Sequence, residues 1–216
     1  MGKQFVKWPL LKGFVLVAFA LAGVVFVSAG RADTYSANAS AGGYAKTGSF
    51  TTSGSFFDVE GSNNGSNTEF GVLDFSASSF GISFPVTGVS SLTLSLTEAN
   101  ASFTVGNGGL NFYISEDTTT TLSSLRFQSS STPEGLGTQL TPLDLLGSGT
   151  FSSNTGNTGS GTVDSYTFSL SSTASAYVAS QLSNGGTIRI VITPTTAAAL
   201  PPGRGSLPVP RRRGPS

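Results

Sequence analysis

The sequence predicts an all-β fold, namely an antiparallel β-sandwich that is jelly-roll-like, with one short helix near residues 173–182. Short runs of apolar residues alternate with Ser and Thr along the chain. Segments rich in Gly and Asn separate these runs and are typical of turns. Convincing helical periodicity occurs only near residues 173–182. Many short strands with few helices favour a sandwich, and a closed barrel is the alternative.

The predicted strands share one pattern, an apolar face and a Ser/Thr face. They comprise residues 80–84, 92–96, 112–114, 166–170 and 188–192. This alternation is typical of antiparallel strands with one side in water. Between Phe70 and Phe75 the phase of the alternation changes, which predicts a β-bulge near Val72 and Leu73.

The predicted helix precedes the last strand. Ala176, Val178, Ala179 and Leu182 fall on one side of a short amphipathic helix. Thr173 is the residue type and position expected of its N-cap.

The first 32 residues predict an export signal. Residues 1–12 are basic, and residues 13–27 form an uncharged apolar stretch that is short for a membrane span. Small residues follow, so cleavage is expected after Ala32 or Ala29, and an uncleaved anchor is the alternative. The expected organisation is a signal peptide at 1–32, a β-sandwich domain at 33–194 and a disordered Pro/Arg-rich tail at 195–216. The mature chain is expected to be secreted or at the cell surface, without a membrane span.

Composition excludes several chemistries. The chain has no Cys and no His, which excludes cysteine proteases, His-containing triads, Cys/His zinc sites and disulfides. The formal net charge is zero, but the basic residues are concentrated at the two ends. Residues 33–200 contain Lys46, Arg126 and Arg189 against all 11 acidic residues, a net charge of −8. A body this acidic repels phosphate backbones, so no nucleic-acid partner is expected.

Carboxylates are the remaining candidates for chemistry. Sequence spacing cannot show whether two carboxylates oppose each other across a cleft, and solvated acids are the simpler interpretation, so no enzymatic activity is expected. Asp58, Glu60, Asn63 and Asn64 surround a Gly-rich turn, and such oxygen ligands suit Ca²⁺. A calcium site is therefore one hypothesis for this cluster, and an ordinary Asn/Gly loop is the other. No other cofactor is expected.

Tyr113 is the candidate carbohydrate-binding residue. It alternates with Phe112 and Ile114 and should lie on the opposite face of their strand. Sugars stack on exposed aromatic rings, and tyrosine combines an apolar ring with a polar hydroxyl. The alternative is an outward tyrosine without a ligand.

The overall layout resembles exported bacterial proteins of the PEP-CTERM (exosortase-sorted) type. The resemblance rests on the signal peptide, the Ser/Thr/Gly-rich body with residues 70–75 and 92–97, and the closing strand at 188–194. Of that family's tail, only Val209-Pro210 and the arginines at 211–213 are present. The Glu-Pro pair and the apolar span are missing, as a frameshift or truncation near Ala199 would produce.

Together these observations predict an exported, non-catalytic β-sandwich protein, structural or matrix-associated at the bacterial cell surface. A carbohydrate-binding module of the extracellular matrix is the alternative. The expected partners are extracellular polysaccharide or matrix proteins.

Overall fold

The computed structural model describes residues 23–28, 33–53, 57, 59, 69–97, 108–128, 131, 133–151 and 163–195. The strands in this part of the chain are β1 (Gly23–Ser28), β2 (Thr34–Asn38), β3 (Ala41–Lys46), β4 (Ser49–Thr52), β5 (Glu69–Ser76), β6 (Val89–Thr97), β7 (Gly108–Ser115), β8 (Leu143–Phe151), β9 (Val163–Ser169) and β10 (Thr187–Pro194). One α-helix, α1 (Ser172–Asn184), connects β9 to β10, and short 3-10 turns occur at Ala77–Phe80 and Leu122–Ser124.

The strands form two antiparallel sheets. The smaller sheet has the order β2-β1-β6-β9, and the larger has the order β4-β3-β5-β10-β7-β8. Buried side chains from both sheets meet in one core, so the predicted antiparallel β-sandwich is confirmed. Jelly-roll connectivity stays a prediction.

The core between the sheets is built by the alternation seen in the sequence. Leu92 and Leu94 of β6 are fully buried against the apolar face of the larger sheet, which includes Phe112 of β7. The Phe112 ring lies 4.7 Å from the ring of Tyr166 and 5.1 Å from that of Phe168, measured between centroids. These aromatic contacts join β9 to the larger sheet, because offset rings at such distances attract each other.

Strand β5 is buried on both faces. Leu73 and Phe75 belong to the core between the sheets, whereas Phe70 and Val72 belong to a second apolar cluster on the other side of the larger sheet. Its pairing with β3 and β10 runs without a register shift, so the predicted bulge at Val72 and Leu73 is wrong. The phase change in the sequence reflects two buried faces, as in a central strand covered on both sides.

The chain between β7 and β8 covers the outer face of the larger sheet. We call the described part of residues 116–142 the covering segment. Its side chains Leu125, Phe127, Leu136 and Leu140 are buried in the second cluster with Phe70, Val72, Val191 and Ala45. Leu140 has a φ of 60°, a left-handed conformation that is uncommon for a non-glycine residue. The sheet is therefore packed on both sides, by the smaller sheet and by this segment.

The helix was predicted at 173–182 and spans Ser172–Asn184. Ser171, and not Thr173, is the N-cap, because its side chain accepts a hydrogen bond from the Ala174 amide at 3.1 Å. The helix ends at Gly185, whose φ of 71° is a left-handed conformation suited to glycine.

The predicted strand at 80–84 is wrong. Phe80 ends a 3-10 turn, and Gly81, with a φ of 65°, breaks the extended backbone. Phe80 is buried, whereas the side chain of Phe84 is 41% exposed. Phe80 and Phe84 therefore belong to a turn and a loop, and the apolar alternation at 80–84 does not mark a strand.

Strand β1 comes from the end of the predicted signal peptide. It pairs antiparallel with β2 on one side and with β6 on the other. The smaller sheet therefore includes six residues that lie before the predicted cleavage points at Ala29 and Ala32. Among the described residues, no helix is long and apolar enough to cross a membrane.

Candidate functional site

The most developed polar site is a buried ion pair at one end of the larger sheet. Arg189 of β10 lies directly opposite Asp74 of β5 in the strand register. Its Nε donates to Asp74 Oδ1 at 2.7 Å and its Nη2 donates to Oδ2 at 2.9 Å, which is the bidentate geometry that a guanidinium and a carboxylate favour. Both residues are buried.

The same guanidinium also holds the covering segment. Arg189 Nη1 donates to the backbone carbonyls of Asp117 and Thr120, each at 2.9 Å. Three nitrogens of one side chain thus link β5, β10 and the first residues of the covering segment. Because a buried guanidinium must satisfy its donors, this arrangement fixes where the segment leaves the sheet.

Asp117 organises the turn that Arg189 contacts. Its Oδ1 accepts hydrogen bonds from the backbone amides of Thr119 and Thr120 at 2.9 and 3.0 Å. The hydroxyls of both threonines donate to the carboxylate as well. These bonds, led by the one from the Thr120 hydroxyl, hold the pKa of Asp117 well below its ordinary value. Its oxygens are committed to the local turn.

Tyr177 of α1 lies against the same end of the sheet. Its hydroxyl donates to the Ser115 carbonyl at 3.2 Å. Burial, with a smaller contribution from the negative charge of Glu116, raises the pKa of Tyr177 to about 12. The buried Ser115 hydroxyl in turn donates to the Leu140 carbonyl at 2.7 Å, which ties the far end of the covering segment to β7.

A second ion pair lies where β3 meets β5. Lys46 Nζ lies 2.8 Å from Oε1 of Glu69, whose side chain is buried. The ammonium also lies 4.9 Å from the centroid of the Tyr44 ring, within the range of a cation–π contact. The Lys46 carbonyl accepts a hydrogen bond from the Phe127 amide at 2.9 Å. This pair too lies at a contact between the sheet and the covering segment.

Tyr113 lies on the face of β7 opposite Phe112 and Ile114, as the alternation predicts. The covering segment lies over part of this face, and the Tyr113 ring packs against the second cluster. Burial raises the pKa of Tyr113, an effect that the Thr193 hydroxyl partly offsets. The expected exposed ring is therefore half-buried, because the covering segment lies over this side of the sheet and packs its side chains Leu125, Phe127, Leu136 and Leu140 there.

The four residues of the calcium hypothesis, Asp58, Glu60, Asn63 and Asn64, lie outside the described residues. The calcium site therefore stays a hypothesis. In the ranges that the structure describes, no cluster of three or more acidic side chains is arranged to hold a metal ion.

The outer face of the smaller sheet carries a row of hydroxyls. We call Ser91, Thr93 and Ser95 of β6, with Ser165, Thr167 and Ser169 of β9, the hydroxyl face. The Thr93 and Thr167 hydroxyls lie 2.9 Å apart, and those of Ser95 and Ser165 lie 3.2 Å apart. Each pair joins two strands directly opposite each other in register. The result is an uncharged polar surface whose side chains are held in place by cross-strand hydrogen bonds.

Sequence reasoning missed the hydroxyl face as a unit and missed the role of Arg189 in holding the covering segment. The Ser/Thr alternation of β6 and β9 was visible, but only the register places the two rows side by side. Arg126 lies in the covering segment and donates to the carbonyls of Ser123 and Leu125.

No protein-family model matches the chain, and searches of the curated proteins and of the solved structures found no significant match. The resemblance to PEP-CTERM proteins therefore rests on the sequence layout.

Proposed function

We propose that this chain is an exported, non-catalytic β-sandwich protein that serves a structural role at the bacterial cell surface or in the extracellular matrix. The hydroxyl face carries this proposal. A rigid, uncharged, hydrogen-bonding surface suits contact with hydrated matrix components, since such contacts form without the desolvation of charge.

The use of the charged groups also supports a structural role. Arg189, Asp74 and Asp117 are engaged with one another and with the backbone of the covering segment. Lys46 and Glu69 pair at the other contact with that segment. These side chains stabilise the fold, and the polar surface of the smaller sheet is available to a partner.

Fractionation of the producing cells tests the export part of the proposal. The protein should be recovered from the medium or the washed cell surface, and N-terminal sequencing should give a chain that begins at residue 30 or 33. Recovery in the cytoplasm with Met1 at the N-terminus would contradict it.

A matched pair of variants tests the role of the hydroxyl face. Thr93→Lys with Thr167→Glu keeps the two side chains able to pair but places charges on the surface. We expect retention on the washed extracellular matrix to fall several-fold, with the same unfolding midpoint. Ser180→Lys, at an exposed position of α1, is the control and should be retained normally. Equal retention of both variants would exclude this face as the contact surface.

Carbohydrate binding is the second candidate. The Tyr113 ring retains partial exposure, and the hydroxyl face could exchange hydrogen bonds with sugars. A glycan array of the exported protein, repeated with Tyr113→Ala, tests it. Binding that is lost in Tyr113→Ala would favour the glycan-binding function through this residue, and an empty array would favour the purely structural one.

A further inference from the structure

Strand β1 occupies an interior position of the smaller sheet. Within the described part of the chain, it is the sole strand paired with β2, and it also covers one edge of β6. Val25 of β1, for example, is the register partner of both Ser36 and Thr93. If β1 were absent, β2 and β6 would face each other across a gap of one strand, about 9–10 Å from backbone to backbone.

Export removes this strand. The inference rests on the export proposed above, because cleavage after Ala29 or Ala32 releases residues 23–28 together with the rest of the signal. The processed protein then contains a strand-wide slot with unpaired backbone groups on both sides. Unpaired backbone in a sheet interior is costly, so the slot favours any extended segment that can restore the ladder.

Contacts outside β1 hold the two sides of the slot apart. The Tyr35 ring of β2 packs edge-on against Phe84, with centroids 6.1 Å apart. Just after β2, the amide and the hydroxyl of Ser40 both donate to the Asp74 carbonyl, at 2.7 and 2.9 Å. On the other side, β6 is paired along its length with β9. Moreover, β2 and β6 run parallel to each other, so they cannot restore the antiparallel ladder by moving together.

The register defines what fits the slot. A strand inserted into the slot has one inward-facing residue between Ala37 and Leu94. Its next inward-facing residue lies between Tyr35 and Leu92. Ala37, Leu92 and Leu94 are buried core residues, so these positions need apolar side chains. The position between them lies between Ser36 and Thr93 and accepts a polar or small side chain. The fitting segment is therefore extended, free of proline, about six residues long and apolar at alternate positions, and it runs antiparallel to both neighbours.

We propose that the exported protein takes up a donor strand of this pattern from another polypeptide, by strand addition between β2 and β6. The tail of the chain itself is a poor donor, since Pro201, Pro202, Pro208 and Pro210 interrupt it and cannot contribute to a ladder. Strand addition would link the protein to a neighbour at the surface without a further binding site.

A synthetic peptide of residues 22–29 tests the slot. The protein is purified from the producing cells after its N-terminus has been sequenced, and peptide binding is measured by fluorescence anisotropy and thermal unfolding. We expect saturable 1:1 binding, a higher unfolding temperature, and new hydrogen-exchange protection of the β6 amides that point away from β9. A peptide with Val24→Asp and Phe26→Asp should bind about tenfold more weakly or worse, because two apolar positions are lost.

The unprocessed chain, which retains residues 1–32, is the matched control and should not bind the peptide. If the processed protein does not bind the peptide and its β6 amides are all protected from hydrogen exchange without it, the slot does not exist. That result would leave the proposed export unaffected. An exported protein that still begins at Met1 would overturn the signal cleavage, and this inference with it.

Discussion

Replacing Arg189 with Met should destabilise the protein by about 3–5 kcal/mol, because the substitution leaves the buried Asp74 carboxylate without its partner. The two hydrogen bonds that Arg189 donates to Asp74, at 2.7 and 2.9 Å, are lost, as are the two to the covering segment. Such a change is a large fraction of the roughly 5–15 kcal/mol that stabilises a typical domain. Equilibrium urea unfolding, followed by far-UV circular dichroism, measures it.

A double-mutant cycle isolates the ion pair. Asp74→Asn with Arg189→Met should cost less than the sum of the two single changes, by about 2 kcal/mol, since each single change leaves a lone buried charge and the double variant leaves none. Arg189→Lys keeps the positive charge but cannot reach Asp74, Asp117 and Thr120 at once, so we expect an intermediate loss.

Trypsin reports on the covering segment separately. Lys46, Arg126 and Arg189 are the basic residues within 33–200, so a cut after Arg126 is readily assigned by mass. Loss of two hydrogen bonds from a charged donor should ease local opening of the segment by about tenfold or more. Two results together would refute the assignment of Arg189 as the group that fixes this segment. The losses of unfolding free energy in Asp74→Asn and Arg189→Met would add up in the double variant, and the rate of cleavage after Arg126 would not change.

Three further outcomes are expected. Gly149→Val should cost about 1–3 kcal/mol in urea unfolding, because even a Cβ at this position would lie 2.5 Å from the Tyr166 ring; Ser148→Val, on the exposed neighbouring residue, is the control. Absorbance at 295 nm should show a titration step for Tyr177 near pH 12, and this contribution should be lost in Tyr177→Phe. Because the pKa of Tyr177 is raised above its unfolded value of about 10, its contribution to stability should be complete below pH 10 and lost as the pH rises towards 12. Ser171→Ala should lower stability by about 1 kcal/mol through loss of the helix cap, whereas Thr173→Ala should change it little.

The strands β6, β9 and β10 were predictable because each shows the alternation that a sandwich strand needs. The interpretation of β5 failed for a physical reason. Strand β5 is buried on both faces, so its apolar residues Phe70, Val72, Leu73 and Phe75 lie on both sides of the sheet and do not follow one period of two. Tyr113 was misjudged for the same reason, since its exposure depends on a segment that covers the sheet from the far side.

The ion pair shows a different limit of prediction from sequence. Arg189 and Asp74 are 115 positions apart, so only strand order and register make them neighbours. The sequence indicates that a lone arginine on a strand needs an acid, but it offers many acids. The hydroxyl face is similar, since its two rows belong to strands separated by more than sixty residues.

The position of β10 has a consequence for the order in which the protein can assemble during synthesis. This strand lies between β5 and β7 in the larger sheet, yet it is the last strand of the chain. Until residues 187–194 emerge, the larger sheet exists only as two separate groups, β4-β3-β5 and β7-β8, and the covering segment has no guanidinium to hold it. The larger sheet can therefore be completed only after its final strand has been synthesised, because its central pairings join residues far apart in the sequence.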